Sequence, residues 1–182
     1  MTNAARLDDE GLARAIAREV ARRGGKVYFV GGYVRDQILG RKNKDVDIEV
    51  HGIEVAALEE LLAKFGVVDS IGASFGILSI KGHTLDIAVP RSDGVAGDEG
   101  RSDFHAFADP FLGTYKAALR RDLTMNALYQ DVLTGEVVDH FGGCEDIARG
   151  VIRHVDDASF AEDPLRVLRV AQFAARFGMA VD

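Results

Sequence analysis

The stretch VYFVGGYVRD, residues 27–36, predicts both a structural junction and an anion site. Its four leading apolar residues predict a buried strand, and the residues after the glycine pair predict a short helix. Glycines at a strand-to-helix junction let backbone N–H groups at the helix N-terminus approach an anion closely. We therefore expect Gly31 and Gly32 to receive phosphate, with Arg35 adding positive charge one turn into the helix.

Apolar periodicity predicts strands interleaved with helices along the rest of the chain, which indicates an α/β sandwich. Residues 90–113 are rich in glycine, aspartate and serine, and we expect a flexible loop there of a length that is usually functional or mobile. The predicted helices contain residues 12–20, 34–39, 55–65, 115–119, 123–128 and 164–177; the predicted strands are 26–30, 45–50, a hairpin at 76–89, 129–132 and 137–139.

Composition limits the kind of protein. The 182 residues are 47% hydrophobic and contain no apolar run of about 18 residues, so we expect a soluble domain without a membrane span. The N-terminus lacks the order of a secretory signal, which favours the cytoplasm. The net charge of -7 disfavours broad nucleic-acid affinity, so any contact with RNA must be local or lie outside this chain. A single cysteine excludes an internal disulfide.

Three aspartates are candidates for metal binding and catalysis. Asp45 and Asp47 are two apart on a predicted strand, so both leave the same face. At about 4 Å and an effective dielectric near 20 they repel by roughly 4 kcal/mol, which a divalent cation reverses. Asp86 stands between Leu85 and Ile87, which must face the core. If these strands pair, three carboxylates converge as two-metal nucleotidyl transfer requires; a solvated strand face is the alternative. Oxygen ligands favour Mg²⁺ over zinc.

The segment ALRRDLTMNAL places polar side chains beside apolar ones. Asp122 and Asn126 are i, i+4 neighbours on the predicted helix and can together hydrogen-bond a ribose hydroxyl. An N-capped helix with a solvated face explains the same pattern equally well.

The segment EDPLRVLR starts the last predicted helix. Asp163 is expected at the cap position, and Arg166 lies three residues on over the same face, with a buried stripe of Val167, Val170, Ala174 and Phe177 to one side. The Asp163 carboxylate is a hydrogen-bond acceptor and the Arg166 guanidinium is a donor. This pair matches the Watson–Crick edges of cytosine and adenine, each of which has an amino group next to an unprotonated ring nitrogen. Such a site can reject uracil and guanine by roughly 10⁴-fold, because its own polar groups would be left unpaired.

Five motifs, taken together and in this order, resemble those of the class II tRNA nucleotidyltransferases (CCA-adding enzymes) and their bacterial poly(A) polymerase relatives. They are GGYVRDQILG, DVD, RRDLTMNAL, VDHFGG and EDPLRVLR. The resemblance covers about residues 27–178. It implies a DNA polymerase β-like nucleotidyltransferase fold of the α/β (α+β) class, with a mixed sheet backed by helices. It also implies a catalytic head domain at 1–150 and the start of a helical neck at 151–182, with the family's body and tail domains absent.

The activity that the resemblance implies is template-independent, Mg²⁺-dependent addition of CMP and AMP from CTP and ATP to tRNA 3′ ends. The same match places Mg²⁺ on Asp45 and Asp47. It places the nucleotide phosphates near Gly32 and Arg35. It implies ribose or phosphate contacts at Arg121, Asp122 and Asn126, and base reading by Asp163, Arg166 and Arg169. Many family members carry arginine where Gln172 stands, so the pocket is expected to have one charge fewer.

Alternatives remain open at this point. A poly(A) polymerase, or an enzyme that adds only C or only A, shares the same motifs. A Rossmann dinucleotide binder is disfavoured because GxGxxG is absent and DVD has no role in it. A non-catalytic tRNA-binding or assembly module would be expected to have a broken carboxylate set, whereas all three aspartates are present. The isolated chain is expected to bind CTP or ATP with Mg²⁺ but to extend tRNA poorly.

Overall fold

A computed structural model describes residues 7–69, 76–95 and 104–182. The chain divides into two compact units. Unit 1 consists of Met1–Tyr28, Asp45–Leu112 and Val132–Thr134, and unit 2 consists of Phe29–Lys44, Gly113–Asp131 and Gly135–Asp182.

The described elements follow one another in a mixed α/β order. In chain order they are α1 (Asp9–Arg22), β1 (Lys26–Val30), α2 (Gly32–Ile38), β2 (Asp47–His51), α3 (Val55–Leu62), β3 (Val68–Asp69), β4 (Ile77–Ile80), β5 (Asp86–Ala88), β6 (Arg91–Val95), β7 (Phe104–Ala108), α4 (Thr114–Leu119), a 3₁₀ turn (Thr124–Asn126), β8 (Leu128–Asp131), β9 (Val137–Asp139), α5 (Gly143–Arg149), β10 (Val151–Ile152), α6 (Asp157–Ala161), α7 (Leu165–Phe177) and β11 (Ala180–Val181).

Seven strands are hydrogen-bonded in the order β3-β4-β5-β2-β1-β8-β9. The strands β3, β4, β5 and β2 belong to unit 1, β8 and β9 belong to unit 2, and β1 has residues in both. The sheet is mixed, because β2 pairs with β5 in parallel whereas β4 pairs with β5, and β8 with β9, in antiparallel.

Unit 1 buries one apolar face of α1 against the rest of its core. The helix begins at Asp8, whose carboxylate accepts the Gly11 N–H at 2.8 Å and so satisfies a donor of the first turn. Leu12, Ile16 and Val20 recur at helical spacing and are buried, as the periodicity predicts. In the sheet, Ile48 and Val50 of β2 and Ile87 of β5 are buried, and Glu49 and His51 of β2 are buried as well.

Unit 2 combines β8 and β9 with α2, α4, the 3₁₀ turn and the C-terminal helices. The short strands β10 and β11 pair in parallel, Val151 with Ala180 and Ile152 with Val181. The helix α7 has a single buried residue, Phe173. This corrects the predicted stripe, because Val167 is 60% exposed; periodicity marks an apolar side of a helix but not the neighbours that cover it.

Two further segments differ from their predicted structure. Within the expected loop at 90–113, β6 and β7 pair in antiparallel from Arg91 with Ala108 to Val95 with Phe104. Glycine and aspartate in this segment conceal the strand pattern, since pairing between distant residues decides the conformation there. The expected helix at 123–128 is a 3₁₀ turn that leads directly into β8. The structure also contains α5, α6, β10 and β11, which periodicity did not indicate.

Candidate functional site

The glycine pair after β1 lies where two guanidinium groups approach the backbone. Gly31 has a φ of +58°, which residues with side chains rarely adopt, and its N–H donates to the Leu128 carbonyl oxygen at 3.2 Å. A Cβ at Gly31 would lie 3.2 Å from Nη1 of Arg121, and one at Gly32 would lie 3.4 Å from Nη2 of Arg35. The missing side chains therefore leave room for positive charge beside the start of α2.

Four of the predicted nucleotide-binding side chains form one hydrogen-bonded series in unit 2, here called the Arg35–Arg169 series. Arg35 donates from Nη1 to Oδ1 of Asn126 at 2.7 Å. Asn126 donates from Nδ2 to Oδ1 of Asp122 at 3.1 Å, and Arg169 donates from Nε to Oδ2 of Asp122 at 2.7 Å. At the other end, Nε of Arg35 donates to Oδ1 of Asp36 at 2.8 Å. Asp36 was part of the quoted stretch, but its partnership with Arg35 was not predicted.

Burial gives this series its rigidity. Arg35, Asp36, Asp122 and Asn126 are all buried, so each charge depends on the partners named above rather than on water. The result is a set of polar groups with fixed positions before any ligand arrives, which is the arrangement that stabilises developing charge best. The shared ribose contact of Asp122 and Asn126 stays a prediction; the structure shows the two side chains bonded to each other.

Two phenylalanines of α7 lie against the arginines of the series. The Phe173 ring has Cζ of Arg35 at 5.2 Å and Cζ of Arg169 at 5.4 Å from its centroid. The Phe177 ring is stacked parallel to that of Phe173 with centroids 5.9 Å apart, and it has Cζ of Arg35 at 4.9 Å. Guanidinium groups are attracted to aromatic faces at these distances, so the two rings restrict where the arginines can point.

Asp163 and Arg166 are close in sequence but have separate partners. The cap position of α7 is occupied by Pro164 and not by Asp163 as expected, but the Asp163 carboxylate accepts the N–H of Leu165, the first residue of the helix, at 2.9 Å. Arg166 donates from Nη1 to the Ser159 carbonyl oxygen at 2.7 Å and from Nη2 to the Arg120 carbonyl oxygen at 2.8 Å. Each Nη carries a second N–H, so Arg166 keeps donors for a further ligand while its plane is fixed.

In unit 1, the structure brings two of the three predicted carboxylates together. Asp47 and Asp86 are directly opposite each other in the parallel pair of β2 and β5, so their side chains leave the same face. Leu85 and Ile87 are buried and Asp86 is exposed, as predicted from their alternation. Asp45 is also exposed but precedes β2 instead of lying within it. In the part of the chain that the structure describes, no three histidine, cysteine or acidic side chains are grouped closely enough to hold a metal ion.

A second layer of contacts supports the 3₁₀ turn that carries Asn126. The buried Thr124 donates from Oγ1 to Oδ2 of Asp146 at 2.7 Å, and Arg153 pairs with the same carboxylate at 3.3 Å. The start of α5 lies so close to this turn that a Cβ on Gly143 would be 2.3 Å from the Thr124 carbonyl oxygen. These supporting residues were missed because their role is set by a contact between α5 and the turn, although the glycines of VDHFGG were a signal for a close approach.

Replacing Gly143 by alanine is expected to lower the free energy of unfolding by about 1–3 kcal/mol, because the backbone of the 3₁₀ turn must move to admit the methyl group. Denaturant unfolding measures this loss. The variant Ala148→Gly calibrates helix propensity in α5, which by itself favours alanine over glycine by up to about 1 kcal/mol. A Gly143→Ala protein as stable as the original would contradict the close contact.

Asp139 organises the VDHFGG segment and sets the chemistry of Cys144. Its carboxylate accepts the N–H groups of Phe141, Gly143 and Cys144 at 3.2, 3.0 and 2.9 Å. Burial by itself raises the pKa of Asp139, but these hydrogen bonds outweigh it and hold the pKa below its usual value. Burial, together with the charge and hydrogen bond of Asp139, raises the pKa of Cys144 to about 11. The raised pKa favours the protonated thiol at neutral pH, which is the less reactive form.

Comparisons with known proteins agree with the fold. Residues 27–153 match the family described as Poly A polymerase head domain. The chain is 41% identical over 152 residues to the multifunctional CCA protein of Haemophilus ducreyi, covering 84% of this chain and 35% of the relative. It is 42% identical over 151 residues to the CCA-adding enzyme of Pseudomonas putida, covering 83% and 39%. The chain thus spans little more than a third of the length of these relatives.

Solved structures give the same result. A Bacillus stearothermophilus CCA-adding enzyme in complex with CTP superposes with a TM-score of 0.76 at 32% identity, over 93% of this chain and 40% of that one. A CCA-adding enzyme with ATP gives 0.76 at 31% identity, over 97% and 40%. The expected nucleotidyltransferase fold, with a mixed sheet and helices, is confirmed. None of the described helices has both the length and the apolar character that a membrane span needs.

Proposed function

Because this chain belongs to the Poly A polymerase head domain family, we propose that it is the catalytic part of a template-independent nucleotidyltransferase. The reaction is transfer of CMP and AMP from CTP and ATP to tRNA 3′ ends, which is CCA addition. The names of the relatives and the CTP and ATP complexes of the structural neighbours support this choice. The observation that carries it is the register of β2 and β5 in unit 1, which sets the half-buried Asp47 directly opposite the exposed Asp86.

We propose the same domain boundaries that the motifs indicate. Residues 1–150 form the catalytic head, and residues 151–182 begin a helical neck whose helix α7 reads the nucleobase. Residues 1–182 by themselves are proposed to bind CTP and ATP and to extend tRNA weakly.

Asp45 and Asp47 are proposed to hold Mg²⁺, with Asp86 as the third catalytic carboxylate. The donor set fits this ion, because Mg²⁺ in enzymes is bound through one or two carboxylates and completes its shell with water and substrate phosphates. Three protein ligands in a preformed group are therefore not needed. The chemistry that Mg²⁺ supplies when bound is a lower pKa of the attacking 3′ hydroxyl and neutralisation of triphosphate charge.

Unit 2 is proposed to bind the nucleotide. Gly31 and Gly32 give the phosphates access to backbone N–H groups, and the guanidiniums of Arg35 and Arg121 lie next to this turn. Asp122 and Asn126 are proposed to meet the ribose hydroxyls from fixed positions, as part of the Arg35–Arg169 series. Fixed positions favour catalysis because no reorganisation is needed during the reaction.

Base reading is proposed for Asp163 and Arg166, with Arg169 beside them. The two carbonyl contacts of Arg166 hold the plane of its guanidinium, and its remaining N–H groups are proposed to donate to a base. The carboxylate of Asp163 accepts an exocyclic amino group next to it. This combination accepts cytosine and adenine and leaves polar groups unpaired against uracil and guanine.

The test is nucleotide incorporation with each of the four nucleoside triphosphates on three tRNA substrates. These end immediately before the CCA sequence, after its first C, or after its second C. With Mg²⁺ present, we expect slow addition of C to the two shorter substrates until they end in CC, followed by addition of a single A. Calorimetry is expected to show binding of CTP and of ATP. UTP and GTP are expected to bind at least about a hundredfold more weakly, well within the roughly 10⁴-fold that unpaired polar groups can impose.

The other outcomes separate the alternatives. Repeated addition of A to any 3′ end would make the chain part of a poly(A) polymerase, and use of CTP only or ATP only would indicate a partial CCA enzyme. A chain that binds no nucleoside triphosphate would exclude the whole class. Rapid complete CCA addition would contradict the weak extension proposed for this chain.

A further inference from the structure

Unit 2 carries a concentrated group of exposed cations outside the residues assigned above. Arg41, Lys42 and Lys44 follow α2, and Arg176 lies in the last turn of α7. All four are exposed, and they stand in a chain whose net charge is -7. These four residues are called the basic patch below.

The fold itself holds the two parts of the basic patch side by side. The Phe177 ring has Cζ of Arg41 at 4.7 Å and Cζ of Arg176 at 5.2 Å from its centroid. The carboxylate of Asp36 gives a second link, because its Oδ2 accepts Nδ2 of Asn43 at 2.9 Å and lies 4.0 Å from Nη2 of Arg176. The segment after α2 and the end of α7 therefore form one surface.

This surface contains more positive charge than the carboxylate beside it can balance. Three guanidiniums, those of Arg35, Arg41 and Arg176, surround the single ring of Phe177. Asp36 faces them and is already engaged at 2.8 Å by the buried Arg35. Like charges held this close repel, and a polyanion that lies across them removes the repulsion. Lys42 and Lys44 add two further positive charges to the same segment.

We propose that the basic patch binds the phosphate backbone of an RNA strand whose 3′ end is to be extended. The identity of the strand rests on the proposed function, whereas the backbone contact rests on the charges and distances above. A guanidinium lying on an aromatic ring keeps its edge N–H groups free, and this geometry suits a phosphate oxygen. Cations combined with an aromatic ring are also the usual composition of a surface that follows a nucleic-acid backbone.

The measurement is binding of fluorescently labelled tRNA lacking its terminal CCA to the 182-residue chain, followed by anisotropy at several salt concentrations. The patch variant carries Arg41→Gln, Lys42→Gln and Lys44→Gln. Each lost phosphate contact changes the slope of log K against log salt by roughly 0.7 to 0.9, so we expect the slope to become less steep by about two. Because no metal or nucleoside triphosphate is added, this result is independent of catalysis.

The control variant carries Arg22→Gln, Lys64→Gln and Arg149→Gln, three exposed cations that are each paired with a glutamate. It changes the net charge equally and is expected to keep the slope of the original chain. Three outcomes would overturn the proposal that the basic patch binds RNA. These are equal slopes for the original chain and the patch variant, an equal loss of slope in both variants, and no RNA binding by the original chain. Loss of slope in the patch variant alone supports it, even if the chain incorporates no nucleotide and the proposed function fails.

Discussion

Replacing Asp47 by asparagine is expected to reduce Mg²⁺-dependent nucleotide incorporation by about 10³-fold or more, because a carboxylate proposed to hold the metal becomes a neutral amide. Asp47 lies opposite Asp86 in the register of β2 and β5. The substitution keeps the size of the side chain and removes one negative charge from a pair, so the fold should be preserved or slightly stabilised. Single-turnover incorporation of labelled CMP, together with thermal unfolding, measures the two effects separately.

The matched control is Glu60→Gln, which makes the same chemical change at an exposed position of α3 in the same unit. It should leave incorporation unchanged. Asp45→Ala and Asp86→Asn should each behave like the Asp47 variant. Incorporation that survives in the Asp47 variant at the level of this control would show that the metal assignment is wrong.

Replacing Arg35 by methionine is expected to cost about 3–5 kcal/mol of unfolding free energy, because it removes the nearest cation of the buried Asp36 carboxylate and leaves the more distant Arg176 at 4.0 Å. Arg35 is 4% exposed and donates to both Asp36 and Asn126. Methionine matches the length of the arginine stem and retains apolar contact with Phe173 and Phe177, so the loss reports on charge and hydrogen bonding more than on packing. Chemical denaturation followed by circular dichroism is the measurement.

Arg18→Met provides the comparison for Arg35→Met. Arg18 is an exposed residue of α1, and arginine and methionine have nearly equal helix propensity. The Arg18 variant should unfold within about 0.5 kcal/mol of the original chain. If both variants lose the same small amount of stability, the buried series around Arg35 does not contribute as described.

Much of the frame of the protein was predictable from local pattern. The strand at 26–30, the hairpin at 76–89 and the strand at 137–139 follow from alternation and from glycine turns, and the structure confirms them. The outward orientation of Asp86 was also predictable, because Leu85 and Ile87 must face the core, whereas its position opposite Asp47 required the pairing of β2 with β5 that the structure shows.

The parts that were not predicted depend on contacts between distant segments. The strands β6 and β7 exist because they pair with each other, and they lie in the segment 90–113, whose glycine and aspartate content predicts a loop. The helix α7 buries Phe173 because the guanidiniums of Arg35 and Arg169 lie on that side of it. Thr124 and Asp146 are 22 positions apart, so only the folded chain reveals their hydrogen bond.

The hydrogen bonds of the Arg35–Arg169 series couple the positions of three segments. The series runs without interruption from α2 through the 3₁₀ turn to α7, and every link is a short polar contact between named side chains. A tilt of α7 that moves Arg169 must pull on Asp122, and through Asn126 it reaches Arg35. Under the roles proposed above for α7 and Arg35, a base that shifts α7 would change the affinity for the triphosphate, and by thermodynamic reciprocity the triphosphate would change the affinity for the base by the same factor.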